Sequence, residues 1–168
     1  MKQTKKRASL TRQAILLFIF IAIFSCQEYT TMTKDDKARI ELDVRQTLSN
    51  YYDDIRKSGL TAEFNYLDHS PDFFWVPPGY SSCISYDSVV HVLEENAPKF
   101  KSIDNSFESL RIVPLSNDIA TYTGRQHSMM TDSNGKIMTF QLVETGVLIK
   151  RKAGWKLLSG QTTILNQK

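Results

Sequence analysis

DIATYTGRQHSMMTDSNGKIMTFQLVETGVLIK, residues 118–150, holds two runs rich in β-branched and aromatic residues on either side of Asn134-Gly135. That dipeptide is the strongest short signal for a two-residue turn, so the spacing predicts a long antiparallel hairpin. With Ser133 opposite Lys136, Arg125 faces Glu144, Gln126 faces Val143, Ser128 faces Gln141 and Tyr122 faces Val147. Alternation then sorts the hairpin into two faces. One carries Tyr122, Gly124, Gln126 and Ser128 with Gln141, Val143, Thr145 and Val147. It is apolar at one end and amide and hydroxyl at the other, as a concave face with a core below and a pocket above would be. The other carries Arg125, His127 and Met129 with Phe140, Leu142, Glu144 and Leu148. There Arg125 and Glu144 read as a cross-strand ion pair. Phe140, Leu142 and Leu148 read as an apolar patch suited to a homodimer.

Working outward, SFESLRIVPL (106–115) and WKLLSGQTTIL (155–165) are further strands. Upstream lie helices. TKDD (33–36) has the form of a capping box, and Ile40, Val44, Leu48, Tyr51 and Ile55 follow at helical spacing up to Ser58-Gly59. LTAEFNYL (60–67) predicts a shorter second helix, and SVVHVLEENA (88–97) a third that Pro98 stops. Between them, FFWVPPGY (73–80) is a strand ended by prolines that cannot donate ladder hydrogen bonds, and SCISY (82–86) is strand-like. Helices followed by an antiparallel meander give an α+β fold: N-terminal helices packed on a strongly curved antiparallel sheet that forms a cone with a pocket.

The chain has 168 residues, enough for one domain. Lys2, Lys5, Lys6, Arg7 and Arg12 precede an unbroken apolar run at 14–24, which has the length and flank of a secretory leader and is too short to span a bilayer. Residues 1–25 hold five of the 21 basic side chains and none of the 18 acidic ones, which leaves 16 against 18, a balance of −2. The formal charge of +3 therefore belongs to the leader, and no basic stripe remains that would suit nucleic acid. IFSC (23–26) resembles the lipobox of bacterial lipoproteins, in which the cysteine is acylated and becomes the new N-terminus. That resemblance implies a signal peptide at 1–25, a lipidated Cys26, a tether at 26–33 and a domain at 34–168. It also implies a membrane surface as partner and an address in the bacterial cell envelope, with Gln27 leaning toward the outer membrane facing the periplasm or the surface. With Cys26 acylated, Cys83 has no partner for a disulfide, and no Cys/His cluster has metal-ligand spacing. No metal and no cofactor is expected.

The order of landmarks over about residues 35–165 resembles the nuclear transport factor 2-like superfamily, the cone fold of SnoaL-like and ketosteroid-isomerase-like proteins. These are the long amphipathic first helix, the turn at Ser58-Gly59-Leu60, the aromatic strand ending in VPPG (76–79), NDIA (117–120), Thr145 and Trp155 ten residues apart, and a polar last strand. The resemblance implies an isomerase, dehydratase or hydrolase as one possibility. This chain departs from it at Val143, where relatives often carry arginine, and at Gln161, which stands two residues before Thr163 where they often carry histidine. A ketosteroid-isomerase-type site needs a buried tyrosine, a protonated carboxylic acid and a carboxylate base. No motif places that trio here.

The candidate ligand pocket comprises Tyr52, Phe73, Trp75, Tyr122, Gln126, Gln141 and Gln161. In FFWV, alternation lets Phe73 and Trp75 share the concave side while Phe74 and Val76 point away. Gln161 depends on the last turn: a two-residue Ala153-Gly154 loop puts it outside and a three-residue loop inside, and only the family resemblance favours inside. His69 beside Asp68 is a possible acid/base pair. His127 falls on the outer face, His91 mid-helix among polar neighbours, and Asp53 and Asp54 on a solvated helix face. Three functions fit. The first is an envelope lipoprotein whose cone binds a small, largely apolar molecule without catalysis. The second is an acid-base enzyme using His69 or Asp68, with Tyr52 as hydrogen-bond donor. The third is a structural or partner-binding module whose cone is filled by its own side chains.

Overall fold

The computed structural model describes residues 31–167; the leader, Cys26 and the tether up to residue 30 lie outside the described residues. Helix α1 runs Lys34–Ser58. Its capping box is formed: the Thr33 hydroxyl accepts from the Asp36 N–H at 3.1 Å and the Asp36 carboxylate accepts from the Thr33 N–H at 3.4 Å. Ile40, Val44, Leu48, Tyr51, Tyr52 and Ile55 form its buried stripe, and Gly59 at φ +83° lets the chain leave the last turn. A 3-10 helix at Leu60–Asn65 follows, then strand β1 (Phe74–Val76) and helix α2 (Tyr86–Asn96), capped by Ser85.

Four long strands complete the chain: β2 (Phe100–Pro114), β3 (Ile119–Asp132), β4 (Ile137–Arg151) and β5 (Gly154–Gln167). The sheet order is β1-β5-β4-β3-β2. The long strands are antiparallel to one another, but β1 joins β5 in parallel, so the sheet is mixed rather than wholly antiparallel. SCISY contributes only a single bridge, Ile84 to Trp75. Strand β2 begins six residues earlier than its sequence signal, because its polar first half is held by pairing with β3. The helices cover the concave face of this curled sheet, α1 packing chiefly along β2. Three strand glycines admit aromatic rings against the backbone: Phe107 lies over Gly124, Tyr122 over Gly146 and Trp75 over Gly160.

The β3–β4 register differs by one from the sequence reading. Arg125 pairs Val143, and Gly124 pairs Glu144. The connection is a three-residue loop, Ser133-Asn134-Gly135. Asp132 pairs with Lys136 across it, and the Asp132 carboxylate accepts from the N–H groups of Asn134 (2.8 Å) and Lys136 (2.9 Å). Asp at the first and Gly at the fourth position of a type I turn explain the preference, with Gly135 at φ +88° completing it. A one-residue slip moves every β4 side chain to the other face. Glu144, Leu142 and Leu148 are therefore inside, and Gln141, Val143, Thr145 and Val147 are outside. The apolar patch read as a dimer surface loses Leu142 and Leu148 to the core.

Candidate functional site

The inward turn of Glu144 places a carboxylate among hydroxyls from three elements. Its Oε1 accepts from the Tyr122 hydroxyl of β3 at 2.6 Å and from the Tyr52 hydroxyl of α1 at 2.9 Å. Its Oε2 accepts from the Thr162 hydroxyl of β5 at 3.0 Å. The Tyr52 oxygen in turn accepts from Gln126 Nε2 at 2.5 Å. Glu144 is 6% exposed and Gln126 1%, so this is a buried polar network in which every donor has an acceptor. Burial first, and then the charge of Glu144, pushes the Tyr52 and Tyr122 hydroxyls well above the ordinary value of 10. Both keep their protons and act as donors. One residue earlier on α1, Tyr51 points to the 3-10 helix and donates to Glu63 at 2.8 Å. Burial pushes the Glu63 carboxyl up to about 8, with the Glu144 charge adding to the same direction.

Thr162 reaches Glu144 because of a bulge. Beyond the Lys152-Ala153 loop, Arg151 pairs Gly154 and Leu148 pairs Leu157, but Val147 pairs Ser159. The extra residue, Leu158, shifts the rest of β5, so Glu144 meets Thr162 and Thr145 meets Gln161.

Tyr52 carries the network to an opening. A cleft of about 370 Å³ runs between α1 and β2, with Tyr52, Phe107 and Leu110 as its apolar wall and Arg45, Asp53, Arg56 and Glu108 about its rim. It opens where β2 bulges between Phe107 and Ser109. The Phe107 ring packs edge-on to both Tyr52 (5.2 Å between centroids) and Tyr122 (6.3 Å), which links the cleft wall to the buried tyrosines. The rim charges neutralise one another locally: Arg56 pairs Asp53 and Asp104, and Arg125 holds Glu108 from outside the cleft.

Of the pocket residues read from sequence, the structure brings together Tyr52, Tyr122 and Gln126. Phe73 is buried against Tyr86 beneath α2, and Trp75 covers Gly160; neither lines the cleft. Gln141 and Gln161 lie on the convex face. Gln141 there donates to Glu108 and accepts from Arg125, and Gln161 stands beside Thr145. The register slip is the cause for Gln141. Gln161 has the strand partner that a three-residue loop implies, but on the opposite face, for the same reason. Asp68 and His69 do not form a base with its orienter. Asp68 is buried and gripped by Arg151 through two 2.8 Å hydrogen bonds, which hold its carboxyl below the usual range, and the Ser70 hydroxyl donates to it at 2.6 Å. His69 is exposed and stacks on Tyr86 at 4.4 Å. The sequence reading missed Glu144, Thr162 and Glu63. For Glu144 a signal existed: Asp132 and Gly135 mark the type I turn that turns it inward.

A family model described as a SnoaL-like domain matches residues 44–166. No curated protein matches the chain. Among solved structures, a protein described as a candidate scytalone dehydratase from Novosphingobium aromaticivorans superposes with a TM-score of 0.70 at 9% identity, covering 81% of this chain and 91% of that one. A hexachlorocyclohexane dehydrochlorinase, LinA-type3, from Novosphingobium barchaimii gives 0.64 at 13%, covering 81% and 93%. A nuclear transport factor 2-like superfamily protein from Salmonella enterica gives 0.63 at 14%, covering 74% and 90%. At these identities the likeness is one of fold.

Proposed function

Because the chain belongs to the SnoaL-like domain family, we propose that it is an envelope lipoprotein whose domain binds a small, largely apolar molecule in the α1–β2 cleft. The observation that carries the reading is the floor of that cleft. Tyr52 lines it while its hydroxyl is fixed from behind by Glu144 and Gln126. A ring held by two buried partners loses little freedom when a ligand packs on it, which favours binding. Glu144 lies behind Tyr52 and does not itself line the cleft, so a molecule packed against the ring has no direct path to the carboxylate; binding without turnover is the simpler use. Native mass spectrometry of the purified full chain tests it. A retained mass that is lost in Tyr52→Ala supports the reading, and a bare chain with no ligand-induced rise in melting temperature across a library of small apolar compounds refutes it. The envelope address is tested by membrane fractionation of Cys26→Ala, where unchanged membrane association would contradict lipidation.

A second reading is supported by one feature. Tyr52 at the cleft and Glu144 buried behind it, 2.9 Å apart, are an acid-base pair at hydrogen-bond distance, as proton abstraction or elimination requires. The structural neighbours include proteins named as a dehydrochlorinase and a candidate dehydratase. On this reading Glu144→Gln abolishes turnover of a halogenated or hydroxylated cyclic substrate while leaving its binding intact.

A further inference from the structure

Beyond the α1–β2 cleft, along the same seam, lies a second hollow of about 280 Å³ where the last turn of α1 meets the start of β2. Its apolar lining comes from Ile55 and Leu60 on one side and from Ala97, Phe100 and Ile103 on the other. Arg56 lines both the hollow and the cleft. On β2 the boundary falls between Ile103, which lines the hollow, and Asn105, which lines the cleft. The residue between them is Asp104, and Arg56 Nε donates to its carboxylate at 2.7 Å. Another arm of the same guanidinium donates to Asp53, three residues back on α1, at 2.6 Å. The Arg56–Asp104 pair is therefore a strap from helix to strand, laid across the seam where one space gives way to the other.

A charged strap with apolar space on both sides is a barrier to an apolar chain. Methylene groups pressed against a guanidinium and a carboxylate displace their water without replacing its hydrogen bonds, which offsets the gain from burying the chain further. The strap itself is weakly held. Its side chains are 44% and 46% exposed, and an ion pair in contact with solvent contributes little to stability. Its removal leaves the neighbouring core residues Ile55 and Ile103 buried by their own packing. The two acids hold Arg56 differently. Asp104 ties it across the seam and Asp53 ties it to its own helix, so losing Asp104 frees the crossing while losing Asp53 leaves it in place.

Resting on the cleft-binding reading, we propose that the Arg56–Asp104 strap sets the length of molecule the cleft accepts, by barring the tail of the ligand from the apolar hollow beyond it. A series of para-alkylphenols from methyl to octyl, titrated into the full chain, tests this. Tyr52 and Arg56 are about one helical turn apart, roughly 6 Å of rise, so a tail growing from a ring packed at Tyr52 meets the strap within the series. In the parent, affinity rises about fourfold for each methylene and then levels off. In Arg56→Ala and in Asp104→Asn the rise continues to longer tails, and in Asp53→Asn the levelling stays at the parent's chain length. Asp104→Asn keeps Arg56 and so preserves the test should Arg56→Ala not fold. A parent that shows no levelling, or a levelling point shared by Arg56→Ala and Asp104→Asn, overturns the strap proposal while the cleft reading stands. So does an Asp53→Asn variant that accepts tails as long as Asp104→Asn does, since loss of charge and not release of the crossing would then be the cause. Binding of no alkylphenol overturns both readings together.

Discussion

Replacing Glu144 by leucine and by glutamine separates what its charge does from what its acceptor capacity does. Three hydroxyls donate to this carboxylate at 2.6, 2.9 and 3.0 Å. Bonds to a charged acceptor contribute about 1.5–3 kcal/mol each, so together they hold roughly 5–9 kcal/mol. Against this stands the desolvation of a carboxylate at 6% exposure, an opposing contribution of several kcal/mol. Leucine removes the desolvation penalty but strands the protons of Tyr52, Tyr122 and Thr162; the net expectation is a loss of about 2–4 kcal/mol. Glutamine keeps an oxygen for the two tyrosines and turns its amide toward Thr162, whose hydroxyl can accept, so every group stays satisfied and the change stays within about 1 kcal/mol. Urea denaturation of the full chain, followed by tryptophan fluorescence, measures both. A leucine variant as stable as the parent, or a glutamine variant as damaged as leucine, would refute the claim that the network is held by hydrogen-bond satisfaction.

Glu63 should make the protein less stable as pH rises. Its folded value of about 8 lies above the ordinary 4.5, so its contribution is full below about pH 4.5 and is lost progressively toward pH 8, and Glu63→Gln should flatten the fall in urea midpoint over that window. Asp68 has the opposite sign: the Arg151 hydrogen bonds lower its value, so its contribution is present above the ordinary 3.8 and disappears as pH drops below it. Arg151→Met should lower the melting temperature because it leaves the buried Asp68 carboxylate without its partner, and a further Asp68→Asn should recover most of that loss in thermal melts. Gly160→Ala should cost about 2 kcal/mol or more, since an added Cβ would meet the Thr145 carbonyl oxygen at 2.4 Å and the Trp75 ring at 2.6 Å; a variant melting with the parent would show that the β1–β5 contact yields easily.

Much of this molecule is legible along the chain because its signals are local. The capping box at Thr33, the apolar stripe from Ile40 to Ile55 and the glycine that ends α1 follow from side chains within a turn or two of each other. The alternation in β3 does too, and Tyr122, Gln126 and Ser128 are buried on one face while Arg125 and Met129 are exposed on the other. The long strands and the helices before them therefore needed no tertiary information, nor did the inward direction of Tyr52.

What only the tertiary structure decided is which residues of β4 and β5 meet them. Strand period is 2, so a single residue in a loop or a bulge changes the face of everything beyond it. The three-residue loop at Ser133-Asn134-Gly135 brought Glu144 in and put Gln141 out, and the bulge at Leu158 set Thr162, not Gln161, against Glu144. The loop left a local trace in Asp132 and Gly135, but the bulge rests on free-energy differences between neighbouring registers that depend on burial across the whole sheet, which no window of sequence contains. Chain order determined a curled sheet under helices with Tyr52 facing it; packing determined that a glutamate waits beneath that tyrosine.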